Sequence, residues 1–468
     1  MDLDAVFLAR LQFAFTVAFH IIFPSFTIGL AAFIATLLVR WRLTGEERFN
    51  RLARFWTKIF AVSFAMGVVS GIVLSYQFGT NWAGFSRATG NVLGPLIGYE
   101  VLTAFFLEAS FLGILLFGWN RVSPNLHVLA AVLVAVGTSL SAFWILAANS
   151  WMHTPAGHIV RDGIAYPEDW LAIIFNPSFP YRFSHMFTAA YLTTSIVVLA
   201  VGARYLMQKR FEDEARTMVR MGLGMVAVLA PLQLVLGDLH GLNTKEYQPA
   251  KLAAMEGHYD SSKPADFLLF ALPNAEKNGN AYEVKVPIPG LASFVITHDF
   301  KGTFKGLNDY RPEDRPPVTP VFFAFRVMVG LGMLMILMGS VGAFLWWRGT
   351  LFQSRAYLGL VQHAWPMGFI AILAGWWVTE TGRQPWLATG ILRTTDAVSP
   401  AITFNAVLTT LILFVVVYTV VFSMGVYYIN RLIDKGPSGA AQKPPHGQPT
   451  RPLSAAEEAT REAIIGAH

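Results

Sequence analysis

Val17-Ala18-Phe19-His20-Ile21-Ile22-Phe23 lies inside an apolar stretch over residues 11–39 that contains no Asp, Glu, Lys or Arg. A helix of about 20 apolar residues crosses the hydrocarbon core of a bilayer, so a run of this length reads as a span. Met1 to Arg10 offers neither a basic flank nor a small-residue cleavage site, and the run is too long for a secretory signal. It is expected to remain as a helix. The histidine within it matters as much as the apolar residues, because an ionisable side chain in lipid is costly and marks a functional position by default.

Eight further stretches of this kind follow, near 59–78, 94–117, 128–148, 184–206, 219–237, 320–346, 364–380 and 402–429. Charged residues make up only 14% of the chain and mean hydropathy is +0.47. A soluble domain carries about a quarter charged residues. The expected fold is an all-α integral membrane protein, a bundle of about nine transmembrane helices. Residues 1–237 would hold six spans, 238–319 a long loop, 320–430 three more spans, and 431–468 a polar tail. No internal repeat relates the two halves.

Basic residues orient the bundle. Arg40, Arg42, Arg48, Arg51, Arg54 and Lys58 follow span one, Arg121 follows span three, and Arg204, Lys209, Arg210, Arg216 and Arg220 follow span five. Arg348 and Arg355 follow span seven, and Arg431 and Lys435 follow span nine. With nine spans all these loops share one side. The positive-inside rule then places the N-terminus outside and the C-terminus in the cytoplasm, with the long loop outside. The same asymmetry accounts for the net charge of +6, so no nucleic acid is expected as a partner. The absence of cysteine excludes disulfides, zinc–thiolate sites and iron–sulfur clusters, so any redox cofactor needs other ligands.

Of eleven histidines, only His20 and His185 fall clearly within spans. His363 stands at a span edge, and His127, His153, His158, His240, His258, His298, His446 and His468 are expected in loops or the tail. A neutral imidazole in lipid either ligates haem iron or bonds to a neighbouring helix, and a methionine such as Met328 can be a sixth ligand. Glu100 and Glu108 stand eight residues apart, about 80° around an ideal helix, so both can face one cavity as a proton relay or a ligand set. The simpler reading of each buried glutamate is a salt bridge to Arg326 or Arg10. Glu380 closes span eight. Arg326, in Phe325-Arg326-Val327-Met328, needs a buried anion, and a haem propionate would serve. The span directions put His185, Glu100, Met328 and Glu380 near the outer ends of their helices, with Glu108 nearer the middle. Ser63, Gly67, Gly71 and Ser75 form a small-residue stripe suited to close helix packing. Three functions remain open on these residues. One is a haem-bearing redox protein. Another is a proton-coupled transporter using His20, Glu100 and Glu108. The third is a haem-binding assembly subunit.

Six stretches carry a resemblance along nearly the whole chain. They are Arg10-Leu11-Gln12-Phe13-Ala14, Gly79-Thr80-Asn81-Trp82, Phe105-Phe106-Leu107-Glu108, Lys251-Leu252-Ala253-Ala254-Met255-Glu256, Phe325-Arg326-Val327-Met328 and Gly382-Arg383-Gln384-Pro385-Trp386. In order and approximate spacing they resemble subunit I of the cytochrome bd ubiquinol oxidases. The resemblance implies a respiratory quinol:oxygen oxidoreductase that releases protons outside, draws them from the cytoplasm, and so generates proton motive force. It implies that His185 and Met328 ligate a low-spin haem b with Arg326 beside it, and that His20 and Glu380 ligate two high-spin haems near Arg383. Glu100 and Glu108 would be the acids near haem d and on its proton path. Lys251 and Glu256 would serve quinol oxidation in the long loop. The interval from Glu256 to Arg326 is short for the family and resembles its short-loop, cyanide-insensitive class, some members of which carry haem b in place of haem d. The implied cofactors are therefore low-spin haem b, high-spin haem b, and either haem d or a further haem b. The implied partners are subunit II, in some cases a small single-span subunit, quinol, oxygen and membrane lipid, in the bacterial inner membrane.

Overall fold

The computed structural model describes residues 4–261, 264–274, 276 and 278–437. Its first span is broken in two. Helix α1 (Ala5–Ile21) gives way at Ile22 and Phe23 to α2 (Pro24–Thr44), because Pro24 has no N–H to continue the ladder and opens a new helix instead. Then come α3 (Glu47–Thr80), α4 (Ala83–Glu100), a π turn (Val101–Phe105), α5 (Phe106–Phe117) and α6 (Pro124–His153). Helix α6 starts cleanly: Ser123 accepts from the Leu126 N–H and Pro124 follows. A short hairpin, β1 (His158–Arg161) with β2 (Ile164–Pro167), and α7 (Trp170–Ile174) lead into α8 (Phe179–Met207) and α9 (Glu212–Tyr247).

The long loop opens with α10 (Pro249–Glu256), folds a hairpin of β3 (Leu268–Asn274) and β4 (Gly279–Lys285), and ends after α11 (Leu291–Thr297). Helix α12 (Val318–Trp347) returns, followed by α13 (Arg355–Val361) and α14 (Pro366–Thr381). A small hairpin, β5 (Trp386–Ala388) with β6 (Leu392–Arg393), precedes α15 (Phe404–Lys435). Among the described residues eight elements are long and apolar enough to span, and α13 with α14, bent by 43°, makes up to nine.

The helices outrun the apolar stretches at both ends, which corrects several expectations. Helix α9 continues to Tyr247, so the long loop begins at about residue 248 rather than 238. His127, His153 and His240 are helical and not in loops. The tail expected over 431–468 starts inside α15, and residues 438–468 lie outside the described residues.

The basic loops do gather at one end of the bundle. Arg42 donates to Asn125, Arg51 pairs with Glu214 at 2.6 Å, and Arg204 pairs with Asp434 at 2.8 Å. At the other end the β5–β6 loop joins the long loop and the end of α6. Arg393 pairs with Asp314 at 2.5 Å, and the Thr389 N–H donates to Met152 O. Beneath them Asn81 donates to Gln12, Gln12 to Thr410, and Gln77 to Thr16, which ties α1, α3 and α15 together.

The most buried spans are the first and α8, whose apolar windows are 67% and 78% buried against 28% or less for the other spanning elements. These two form the axis and the rest surround it. Lipid gives helices no hydrophobic drive to associate, so small residues let the backbones meet. Gly222 of α9 is one: a Cβ there would lie 2.8 Å from Ser195 O and 2.9 Å from the Leu199 N. Gly222→Val is expected to force α8 and α9 apart and to destabilise by about 1–3 kcal/mol. Gly241→Ala, with nothing within 4 Å, should leave stability unchanged or raised. Thermal unfolding of both variants in one detergent checks this, and a wild-type melting temperature for Gly222→Val would refute the close seam.

Candidate functional site

His20 is the penultimate residue of α1, at the break before Pro24. Its Nδ1 stands 3.0 Å from Ser70 Oγ, and that hydroxyl donates to the Met66 or Gly67 carbonyl, each at 3.0 Å. The hydroxyl hydrogen is therefore spent on the backbone, and Ser70 accepts from His20 Nδ1–H. The free lone pair is then on Nε2, the tautomer a metal-ligating histidine needs. Gly71 lies against the ring, with a built Cβ 3.2 Å from Cε1. Part of the small-residue stripe thus seats this histidine.

His185, in the second turn of α8, is the opposite case. Its Nδ1 is buried without a partner, and Gly237 of α9 packs on the ring edge. An unbonded imidazole nitrogen in an apolar interior is unfavourable unless something outside the chain binds the ring. His240 stands beside it, ring centroids 5.7 Å apart. Met328 enters from α12 and presses on α14, where a Cβ on Gly375 would lie 2.8 Å from its Sδ.

Near the loop end, α6, α8, α10 and α14 bring a charged cluster together. Glu380 Oε2 bonds Arg383 at 2.5 Å, and Oε1 accepts from Asn149 at 3.0 Å and lies 3.3 Å from His153 Nε2. Arg182 donates to Asn149 at 2.5 Å and approaches Glu380 at 4.0 Å. Lys251 reaches in from α10 to His153 Nδ1 at 3.0 Å and Gln248 Oε1 at 2.7 Å. Gly382 makes room for it, since a Cβ there would meet Lys251 Cγ at 2.8 Å. Burial and the Arg182 guanidinium push the Lys251 ammonium well below the ordinary lysine value, against the pull of Glu380.

The cluster is short of anions. Two arginines and a lysine face one carboxylate, and among the described residues Arg182 Nε with Arg383 Nε and Nη1 are buried without partners. Buried guanidinium N–H groups require acceptors, and carboxylates supplied from outside the chain would complete them. The propionates of haem are such groups, and His20 and His185 are the donors its iron takes, so the residues present fit it.

Arg326 stands apart from this cluster. It donates to Glu256 Oε2 at 2.8 Å and to the carbonyls of Leu268 and Met255, and lies over the Phe322 ring at 4.6 Å. Its anion within the chain is Glu256, and these bonds use four of its five N–H groups, leaving one on Nη1. Neither Arg10 nor Arg326 pairs with Glu100, Glu108 or Glu380, since Arg10 donates to Gln384.

Glu100 and Glu108 both turn toward α6. Ser141 donates to Glu100 at 2.7 Å, and one turn away Gly137 lies so close that a Cβ would meet Glu108 Cγ at 2.6 Å. The π turn between them is why they share this stripe: each of its residues advances less around the axis than in an α-helix, so the 80° offset shrinks. Helix α4 also begins at Ala83, which puts Glu100 at the middle of a 35-residue element and not near its outer end.

Asn149, His153, Arg182, His240 and Ser70 were not legible as site residues from hydropathy, which ended the spans short of most of them. The usable signal was spacing: Arg182 precedes His185 by three residues, one helical turn.

A polytopic bundle with ligand-ready histidines and an anion-deficient arginine cluster defines the class as a haem-bearing membrane protein. Residues 8–437 match the family described as cytochrome bd terminal oxidase subunit I. The chain is 36% identical to cytochrome bd ubiquinol oxidase subunit 1 of Bacillus subtilis, over 92% of this chain and 93% of that one. It is 32% identical to cytochrome bd-II ubiquinol oxidase subunit 1 of Escherichia coli, over 95% and 99%. The bd oxidase structure from Geobacillus thermodenitrificans superposes with a TM-score of 0.85 at 30% identity, covering 93% of this chain and 99% of that one. The chain belongs to the cytochrome bd terminal oxidase subunit I family, a multi-pass protein of the bacterial inner membrane. That membership sets aside the transporter and assembly-subunit readings.

Gly375→Ala tests the seating of Met328. The fold should survive, because a flexible thioether can move aside, but the sulfur should lose its position. A changed haem band in the reduced-minus-oxidised spectrum is expected if Met328 is a ligand, and an unaltered band would mean that no haem depends on this contact.

Proposed function

We propose that this chain is the haem-bearing subunit of a quinol:oxygen oxidoreductase, and that its haems are held by the residues just described. The observation that carries the reading is the match between two ligand-ready histidines and a buried arginine cluster lacking its anions. His185 and Met328 would ligate a low-spin haem b. His20 and Glu380 would each ligate a high-spin haem, one of type b and one of type d or a further b. Arg182 and Arg383 would hold propionates, and Asn149 and His153 would orient the Glu380 carboxylate. When bound, the haems supply electron transfer and the reduction of oxygen to water.

The chain's own work is to bind quinol, orient it and move protons. The long loop, about 248–317, is the proposed quinol-binding region, set between the two helical regions expected from the sequence. Lys251 Nζ, whose charged form burial disfavours, accepts a quinol proton, and His153 hydrogen-bonds the same nitrogen. Glu256 is held by Arg326 at the end of the same helix and fixes that helix against α12. Glu108 and Glu100, facing one stripe of α6, pass protons upward from the basic end, which we place in the cytoplasm. Release outside and uptake inside charge the membrane, each charge working against roughly 2.3 kcal/mol per 100 mV. Subunit II, and in some assemblies a small single-span subunit, would complete the enzyme.

His185→Ala should remove the low-spin haem signal and abolish quinol oxidation, and survival of both would overturn the ligand assignment. Lys251→Arg tests the base. A lysine whose pKa is lowered is neutral above that pKa and becomes charged as pH falls through it. Arginine stays charged at every working pH. The variant should keep its haem spectrum and lose activity about 100-fold, the scale of general-base catalysis. Steady-state quinol oxidation measures it, and near-wild-type turnover would exclude Lys251 as the proton acceptor.

A further inference from the structure

At the basic end, away from the cluster, Arg40 of α2, Arg48 of α3 and Arg220 of α9 surround a cavity of about 280 Å³ with Thr36, Thr217 and Phe49. At about 30 Å³ per water it has room for about nine waters, more than a bare phosphate fills. No carboxylate lines it. Arg48 Nη2 bonds the exposed Glu46 at 2.5 Å, but its Nε is buried and unpartnered. Arg40 lies over the Phe49 ring at 5.6 Å and Arg220 over the Phe352 ring at 5.1 Å. Neither has a carboxylate partner among the described residues. The two threonine hydroxyls donate to their own helices, Thr36 to Ala32 O and Thr217 to Asp213 O, so the guanidinium groups are the available donors.

The helix below this pocket is built for a chain rather than a free ion. Met221 lines the cavity, and Met225, Val228, Leu232 and Val235 continue down α9 at spacings of 4, 3, 4 and 3, on one face. The last four are 40%, 64%, 42% and 55% exposed. The stripe is about 21 Å long at 1.5 Å per residue. That exceeds one leaflet of a core about 30 Å thick.

We propose that this pocket holds the phosphodiester headgroup of an anionic phospholipid, with an acyl chain laid along the α9 stripe. Three guanidinium groups that meet one exposed carboxylate supply the charge. The pocket lies at the end of the spans, where such headgroups lie, and a basic pocket between spanning helices is the form lipid recognition takes there.

The test uses the assembled oxidase, taken from phosphatidylcholine nanodiscs doped with phosphatidylglycerol and examined by native mass spectrometry. Wild type should retain phosphatidylglycerol. Arg40→Gln with Arg220→Gln should lower retention roughly 30-fold, while Arg40→Lys with Arg220→Lys keeps most of it. Met225→Gln with Val228→Gln, on a face where packing is not at stake, should lower it as well. An unchanged haem spectrum in each variant certifies the fold. Inorganic phosphate should not displace the lipid. Wild-type retention in either glutamine variant overturns the proposal, and so does displacement by phosphate, which would make the pocket a site for a free anion.

Discussion

Every ionisable group kept inside hydrocarbon has to find a partner there, because water is not available to take its place. In this chain that requirement centres on Glu380, whose two oxygens meet Arg383, Asn149 and His153. Through those contacts one carboxylate at the end of α14 holds α6 and, by way of Asn149, the Arg182 of α8. Lys251 then pins the long loop to the same point through His153. The proposed quinol loop and the helices that carry the proposed ligands are therefore positioned by a single buried network. Breaking one member would leave a charge stranded, which costs far more than the pairwise attraction suggests.

Close backbone approach is the second constraint, and it works with the first. Gly71, Gly237, Gly375 and Gly382 each admit the side chain of a proposed site residue at a distance that a methyl group would contest. Their positions explain why the site residues reach inward without distorting the bundle. The π turn does a related job for Glu100 and Glu108, rotating two acids onto one stripe of α6 that an unbroken helix would splay.

The spans, their number to within one, and the basic end were legible because hydrophobicity and charge act locally and leave a one-dimensional trace. His20, His185, Met328 and Glu380 stood out for the same reason: each is a polar or soft atom in an apolar run. What could not be read was pairing. Arg326 and Glu256 are separated by seventy residues in sequence, so the ion pair between them leaves no local trace. His153 and His240 were misplaced because helices extend past their apolar cores wherever polar partners wait, and hydropathy ends where the partner begins. The break before Pro24 and the π turn involve two and five residues of irregular backbone, below the reach of any windowed pattern.

The Glu380 network also has a history within each newly made molecule. Asn149, His153 and Arg182 emerge from the ribosome some 200 residues before Glu380 and Arg383. At about 5–20 residues per second the early members wait roughly 10–40 s for their counterion. During that interval the arginine of α8 is an unneutralised cation at the edge of a half-built bundle. A haem held through Glu380 and Arg383 would therefore be loaded only after the C-terminal third of the chain has been made.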